Sequence, residues 1–154
     1  MNIEISGKVS SILAHKKAST VWSIGPNAMV FDAIQLMDEK NVGALPIVDN
    51  KTLVGVVSER DYTRKVILKA RSSKDTPVSD IMTKELLTVN PSDSITECMR
   101  IMTEKRVRHL PVLEGTKLVG ILSIGDVLNW LISAQKAMID NFERYSLAEI
   151  KEKE

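Results

Sequence analysis

The chain has a single cysteine, Cys98, so no internal disulfide can staple the fold. That cysteine and two histidines, His15 and His109, show no metal-ligand spacing, and no nucleophile and base are paired by spacing. Neither a Walker-type phosphate loop nor a Gly-x-Gly-x-x-Gly fingerprint occurs, so any nucleotide site must be built differently. An excess of one charge is missing too. Twenty-one Lys and Arg face twenty Asp and Glu, and a net +1 removes the global case for nucleic-acid or anionic-membrane binding. Apolar runs such as Leu118 to Ile124 are interrupted by Gly or Ser and fall far short of a bilayer span. The N-terminal stretch from Met1 to Lys8 is mixed polar without an apolar signal core, which predicts a cytoplasmic protein not inserted in a membrane. What remains is 154 residues, 44% hydrophobic, enough for one compact body.

The chain repeats itself. Val21–Asp61 aligns with Leu86–Asp126 without a gap, at a constant offset of 65 residues, with twelve of forty-one positions identical. Leu45-Pro46 meets Leu110-Pro111, Leu53-Val54-Gly55 meets Leu118-Val119-Gly120, Ser58 meets Ser123, and Asp61 meets Asp126. Most other pairs trade like for like, as Ile47 does with Val112.

Each copy reads as β-α-β-β-α. A short strand near Thr20–Ile24 or Leu87–Val89 ends at Pro26 or Pro91, which cannot donate a ladder hydrogen bond. Val30, Ile34 and Met37, and in the second copy Ile95, Met99 and Met102, give a helix one apolar stripe. Ser94 to Glu97 matches a capping box. Two hairpins follow, Ala44–Val48 with Leu53–Val57 and His109–Leu113 with Leu118–Leu122, and a second helix starts at Ser58 or Ser123. The polar stretch from Ala70 to Val78 suits a connection. About sixty residues are marginal alone, so the copies are expected to pack together. The boundaries predicted are 1–75 for the first repeat, 76–132 for the second and 133–154 for a helical extension.

Gly43 to Asp49 followed by Leu53 to Asp61, and Arg108 to Leu113 followed by Leu118 to Asp126, resemble the core of a CBS domain twice over. Val78 to Thr83 resembles the lead-in that commonly precedes a second copy. The resemblance covers about Val9 to Trp130 and implies an α+β fold, two tandem CBS repeats about a pseudo-two-fold axis with a C-terminal helical extension. It implies a cleft on either side of the pair that binds AMP first, or ADP, ATP, NAD(H) or S-adenosylmethionine, and a homodimer formed through the repeats. The site residues it implies are Ser58, Asp61, Thr83, Ser123 and Asp126, with an adenine slot along Ala44, Leu45 and Pro46 and along His109, Leu110 and Pro111. The residue chemistry agrees, since an ionised Asp is acceptor-only and can take both hydrogens of a ribose diol. A helix N-terminus behind Ser58 or Ser123 favours phosphate.

Two readings stand for the serine and aspartate pairs: a helix capping box, or sugar contact, and the two can hold together. Arg60, Arg64, Arg108 and His109 are candidates to converge on phosphates, with solvated surface charge as the other reading; Lys65 and Arg106 are read as surface charges. Cys98 reads as a small buried filler. From Asp126 to Tyr145, apolar residues recur at three- and four-residue spacing in one long amphipathic helix. It either packs on its own module or serves a dimer or docking contact. The whole reads as a nucleotide-sensing regulatory module without catalysis, acting on an enzyme or transporter carried by a separate polypeptide. The alternative is a structural oligomerisation module with vestigial or empty clefts.

Overall fold

A computed structural model describes residues 7–16 and 20–151, with side chains described as far as residue 145. Residues 1–6, part of the polar N-terminal stretch, and 152–154, the end of the tail, lie outside the described residues. The helices are α1 (Val9–His15), α2 (Val30–Lys40), α3 (Glu59–Lys65), α4 (Ile95–Lys105) and α5 (Ile124–Lys151); the strands are β1 (Ala44–Asp49), β2 (Thr52–Ser58), β3 (His109–Glu114) and β4 (Lys117–Ser123). This is an α+β pair of repeats with a C-terminal helix.

The strand expected to open each repeat is reduced to one bridging residue. Ile24 pairs in parallel with Ile47, and Val89 with Val112. Ile24 N–H donates to Pro46 O at 3.1 Å and accepts at its own carbonyl from Val48 N–H at 2.9 Å. The next donors along that ladder would be Pro46 on one side and Pro26 on the other, and neither carries an N–H. Pro111 and Pro91 bound the second bridge in the same way.

The helix stripes form as expected, centred one residue away. Val30, Ala33 and Met37 of α2 are buried, as are Ile95, Cys98 and Met102 of α4, while Ile34 and Met99 pack at the margin. Burial pushes the Cys98 thiol up to about 11, with Asp93 and Glu97 adding to it, as suits an inert filler. β1 pairs antiparallel with β2, and β3 with β4, each pair irregular at the same place, after Ile47 and after Val112. The first hairpin turns through Asn50 and Lys51, at φ 45 and 67, the double left-handed geometry that matches strand twist. The second uses Gly115 at φ 62.

The segment leading into each copy packs on the other one. Val78 and Ile81 are buried in the first repeat's core with Leu45, Ile47 and Val57. Val9 and Ile12 of α1 are buried in the second repeat's core with Leu110, Val112 and Leu122. The hydrogen bonds match: Val78 N–H donates to Ala28 O and Ser79 N–H to Pro26 O, while Val9 N–H donates to Asp93 O and Ser10 N–H to Pro91 O. Four fully or nearly buried aliphatic side chains contribute roughly 1.5–3 kcal/mol each. The stretch after Ala70 is therefore more than a spacer. Thr76 and Ser73 carbonyls accept from Val30 and Phe31 N–H, both at 2.9 Å, ending a helix whose cap residue Met29 offers no side-chain acceptor.

α5 packs on its own repeat through Val127, Trp130 and Leu131. Beyond them the described large apolar residues are open, with exposures from 57% at Met138 to 76% at Tyr145, so self-packing accounts only for its first two turns. No described helix is long and apolar enough to cross a membrane.

Candidate functional site

Serine caps hold both second helices. Asp61 N–H donates to Ser58 Oγ at 3.2 Å, and Ser58 N–H returns to Asp61 Oδ2 at 2.9 Å. Asp126 N–H donates to Ser123 Oγ at 3.1 Å, and Ser123 N–H to Asp126 Oδ2 at 2.8 Å. The capping reading therefore applies in both copies. It also uses up helix-end donors, because Glu59 N–H goes to Gly43 O and Ile124 N–H to Arg108 O. Those bonds leave fewer free N–H groups at the two helix termini where the sequence suggests a phosphate site.

The two clefts are unequal. The larger, about 280 Å³, is lined by Gly43, Val56, Ser58, Glu59, Arg60 and Asp61 from the first copy, by Thr83 and Glu85 between the copies, and by Leu86, Leu87, Arg106–His109 and Pro111 from the second copy. That volume is near the lower end, roughly 300 Å³, of small-ligand pockets. Its chemistry is divided. Val56, Leu86, Leu87, Val107 and Pro111 are apolar, while three arginines, Arg60, Arg106 and Arg108, and three carboxylates, Glu59, Asp61 and Glu85, share the lining. Such a cavity offers stacking surface, acceptors for a diol and planar donors for phosphate.

Arg60, Arg108 and His109 are thus brought together, whereas Arg64 is exposed on α3 and is not among the lining residues. Two residues read as surface charge do otherwise. Arg106 lines the cavity, placed by its left-handed position at the end of α4, at φ 54. Lys65 reaches Asp61 Oδ1 at 2.9 Å and the Ile81 carbonyl at 2.8 Å, tying α3 to the lead-in from behind. Burial pushes the His109 imidazole below its ordinary value; Asp126 works against this, and Lys16 and Arg108 add to it.

The smaller cleft, about 160 Å³, is lined by Ala44 and Leu45 as expected, but also by Lys16, Trp22 and Lys40. Ser123 and Asp126 are not among its lining residues, and Lys16 stands beside them: its Nζ lies 2.8 Å from Asp126 Oδ2 and 2.9 Å from the Ile121 carbonyl. Pro46 and Leu110 are buried in their strands and line neither cleft. Lys16 had no sequence signal, since its partner lies 110 residues away.

Comparison with known proteins places this geometry. The family model described as "CBS domain" matches twice, over residues 14–68 and 78–133. The CBS domain-containing protein CBSX3, mitochondrial, of Arabidopsis thaliana is 40% identical over 75% of this chain, which spans 59% of that relative's length. Inosine-5'-monophosphate dehydrogenase of Methanocaldococcus jannaschii is 31% identical over 82% of this chain but over only 26% of the enzyme, so the likeness is to the CBS part. Among solved structures, a protein with CBS domains from Burkholderia ambifaria is 50% identical with a TM-score of 0.80, covering 82% of this chain and 95% of that one. CBSX2, solved in complex with AMP, is 30% identical with a TM-score of 0.69, covering 84% and 99%. A hexameric CBS-CP12 protein from bloom-forming cyanobacteria is 30% identical with a TM-score of 0.72, covering 81% and 72%.

Proposed function

The chain belongs to the CBS domain family, and on that footing we propose that it is a regulatory module binding an adenine nucleotide, AMP first, in the cavity beside Ser58 and Asp61. One observation carries this reading: a single cavity joins an apolar wall, the Asp61 carboxylate and three arginines. The base lies against Val56, Leu86 and Pro111, the ribose diol meets Asp61, and the phosphate meets Arg106 and Arg108. The likeness to CBSX2, solved with AMP, supports the ligand class.

The cavity takes Ser58 and Asp61 from one copy and Arg106, Arg108 and His109 from the other. A ligand spanning them favours one relation between the copies, and that differential affinity is what a partner protein reads. A thermal-shift panel of AMP, ADP, ATP, NADH and S-adenosylmethionine tests the reading. Stabilisation by at least one at millimolar concentration is expected, and none by any of the five rejects it.

A second reading, an oligomerisation module, draws on α5. Ile124, Leu128, Ile132, Met138, Ile139, Phe142 and Tyr145 are exposed on this one helix, and at 3.6 residues per turn they fall on one face, as a helix–helix seam needs. At roughly 100 Å² each they offer about 700 Å² per copy, near the ~800 Å² per partner of a stable interface. We assign that face to a second copy of this chain, so that sensing and dimerisation coexist.

A further inference from the structure

The two lead-ins superpose by hydrogen bonding from Val9 to Leu13 and from Val78 to Met82, and then diverge. After Met82 the chain extends, and Thr83 pairs with Val56 in both directions, at 2.8 and 3.1 Å. After Leu13 the helix α1 runs on to His15, and among the described residues no lead-in backbone pairs with Ile121, which repeats Val56 and has only its hairpin partner Pro111. The Ile121 carbonyl is met by the Lys16 ammonium instead, which then spans to Asp126. At the same spacing the second lead-in has Glu85, whose charge cannot pair with the Asp61 carboxylate. Lys65 does pair with Asp61, but from its own helix and without lining the cavity.

We infer that Lys16 closes the second cleft to nucleotide by standing where a sugar would meet Asp126, so that each chain takes one ligand, in the Ser58/Asp61 cavity. This rests on the nucleotide-binding reading proposed above. The Lys16 ammonium occupies Asp126 Oδ2, and the Ser123 N–H shares the same oxygen. With side chains 31% and 19% exposed, the pair is partly sheltered from solvent and its Oδ2 is held on two sides, by Lys16 and by the Ser123 N–H. The clefts also differ in cations. Asn41 and Gly43 stand where the second copy has Arg106 and Arg108, so no arginine lines the smaller cleft, and its Lys40 sits 4.1 Å over the Trp22 ring. The repeat thus yields one site able to hold a phosphorylated nucleoside and one whose sugar position is taken by the chain itself.

Equilibrium titration of the full chain with adenosine and with AMP decides it. The wild type is expected to bind one ligand per chain, lost in Asp61→Asn and kept in Asp126→Asn. Lys16→Ala is expected to bind two adenosines, the second within about tenfold of the first, and to return to one in Lys16→Ala/Asp126→Asn. The first site serves as the check that the variant folds. Two ligands on the wild type, loss of wild-type binding in Asp126→Asn, or a Lys16→Ala protein that still takes one would each overturn the inference while leaving nucleotide binding intact. Absence of binding by every protein would instead defeat the functional reading and this inference together.

Discussion

Met82 lies so close over Gly55 that a Cβ at position 55 would meet its Sδ at 2.6 Å and its Cγ at 3.0 Å. Leu13 covers Gly120 in the same way, with Cδ2 at 2.8 Å, so both glycines mark places where one copy's lead-in crosses the other copy's hairpin. Gly55→Ala is therefore expected to cost about 1–3 kcal/mol in urea unfolding, from overpacking. Adding Met82→Ala should return part of that loss, because the two residues share one contact. A Gly55→Ala protein as stable as wild type would show that the crossing is looser than this geometry.

Arginine and carboxylate roles in the larger cavity separate by ligand. Arg108→Ala and Arg106→Ala are expected to weaken AMP by about tenfold each, a loss of roughly 1.4 kcal/mol, and to leave adenosine nearly unchanged. Equal losses for both ligands, read by calorimetry, would mean that these arginines shape the cavity and do not meet phosphate.

The His109 imidazole titrates below its ordinary value of 6.5 when folded, with burial the largest cause. The unfolded chain therefore binds a proton that the folded chain refuses. The associated stability is present above about pH 6.5 and is lost as pH falls from there through the folded value. Between about pH 7.5 and pH 5.5 the wild-type Tm should fall further than that of His109→Asn. Parallel curves would remove His109 from the account.

Ending the chain after Ala134 removes Met138, Ile139, Phe142 and Tyr145, all more than half exposed, and none of the described residues of either core. The shortened protein should keep its tryptophan emission, since Trp22 and Trp130 both remain, and sediment as a monomer. An unchanged mass would move the pairing surface to the repeats themselves, as the family resemblance implies.

The parts legible in the sequence are those written in local spacing. Val30 to Met37 and Ile95 to Met102 announce their helices, and the hairpins and the Ser58 and Ser123 caps follow from an alignment with no gaps. The exchanged lead-ins were hidden for a simple reason: Val9 matches Val78 at an offset of 69, four more than the repeat, and α1 has only seven residues to show a period. The reduction of the opening strands to single bridges was half visible. Pro26 and Pro91 supplied one stop, while Pro46 and Pro111, on the neighbouring strand, supply the other, and only the parallel pairing reveals it. In the site, the Ser58/Asp61 pattern pointed to the larger cavity. Arg106 was missed because a left-handed residue at a helix end redirects its side chain, and Lys16 because its partner is distant in sequence.

Whether Asp61 holds a nucleotide is decided by calorimetric titration of AMP into the wild-type chain and into Asp61→Ala. Saturable binding at or below millimolar AMP is expected in the wild type and at least a tenfold weaker affinity in the variant, which keeps the Ser58 cap and loses only the Ser58 and Lys65 bonds to its carboxylate, at about 1 kcal/mol of stability. A wild-type chain that takes up no AMP, or an Asp61→Ala chain that binds it equally well, would contradict the account.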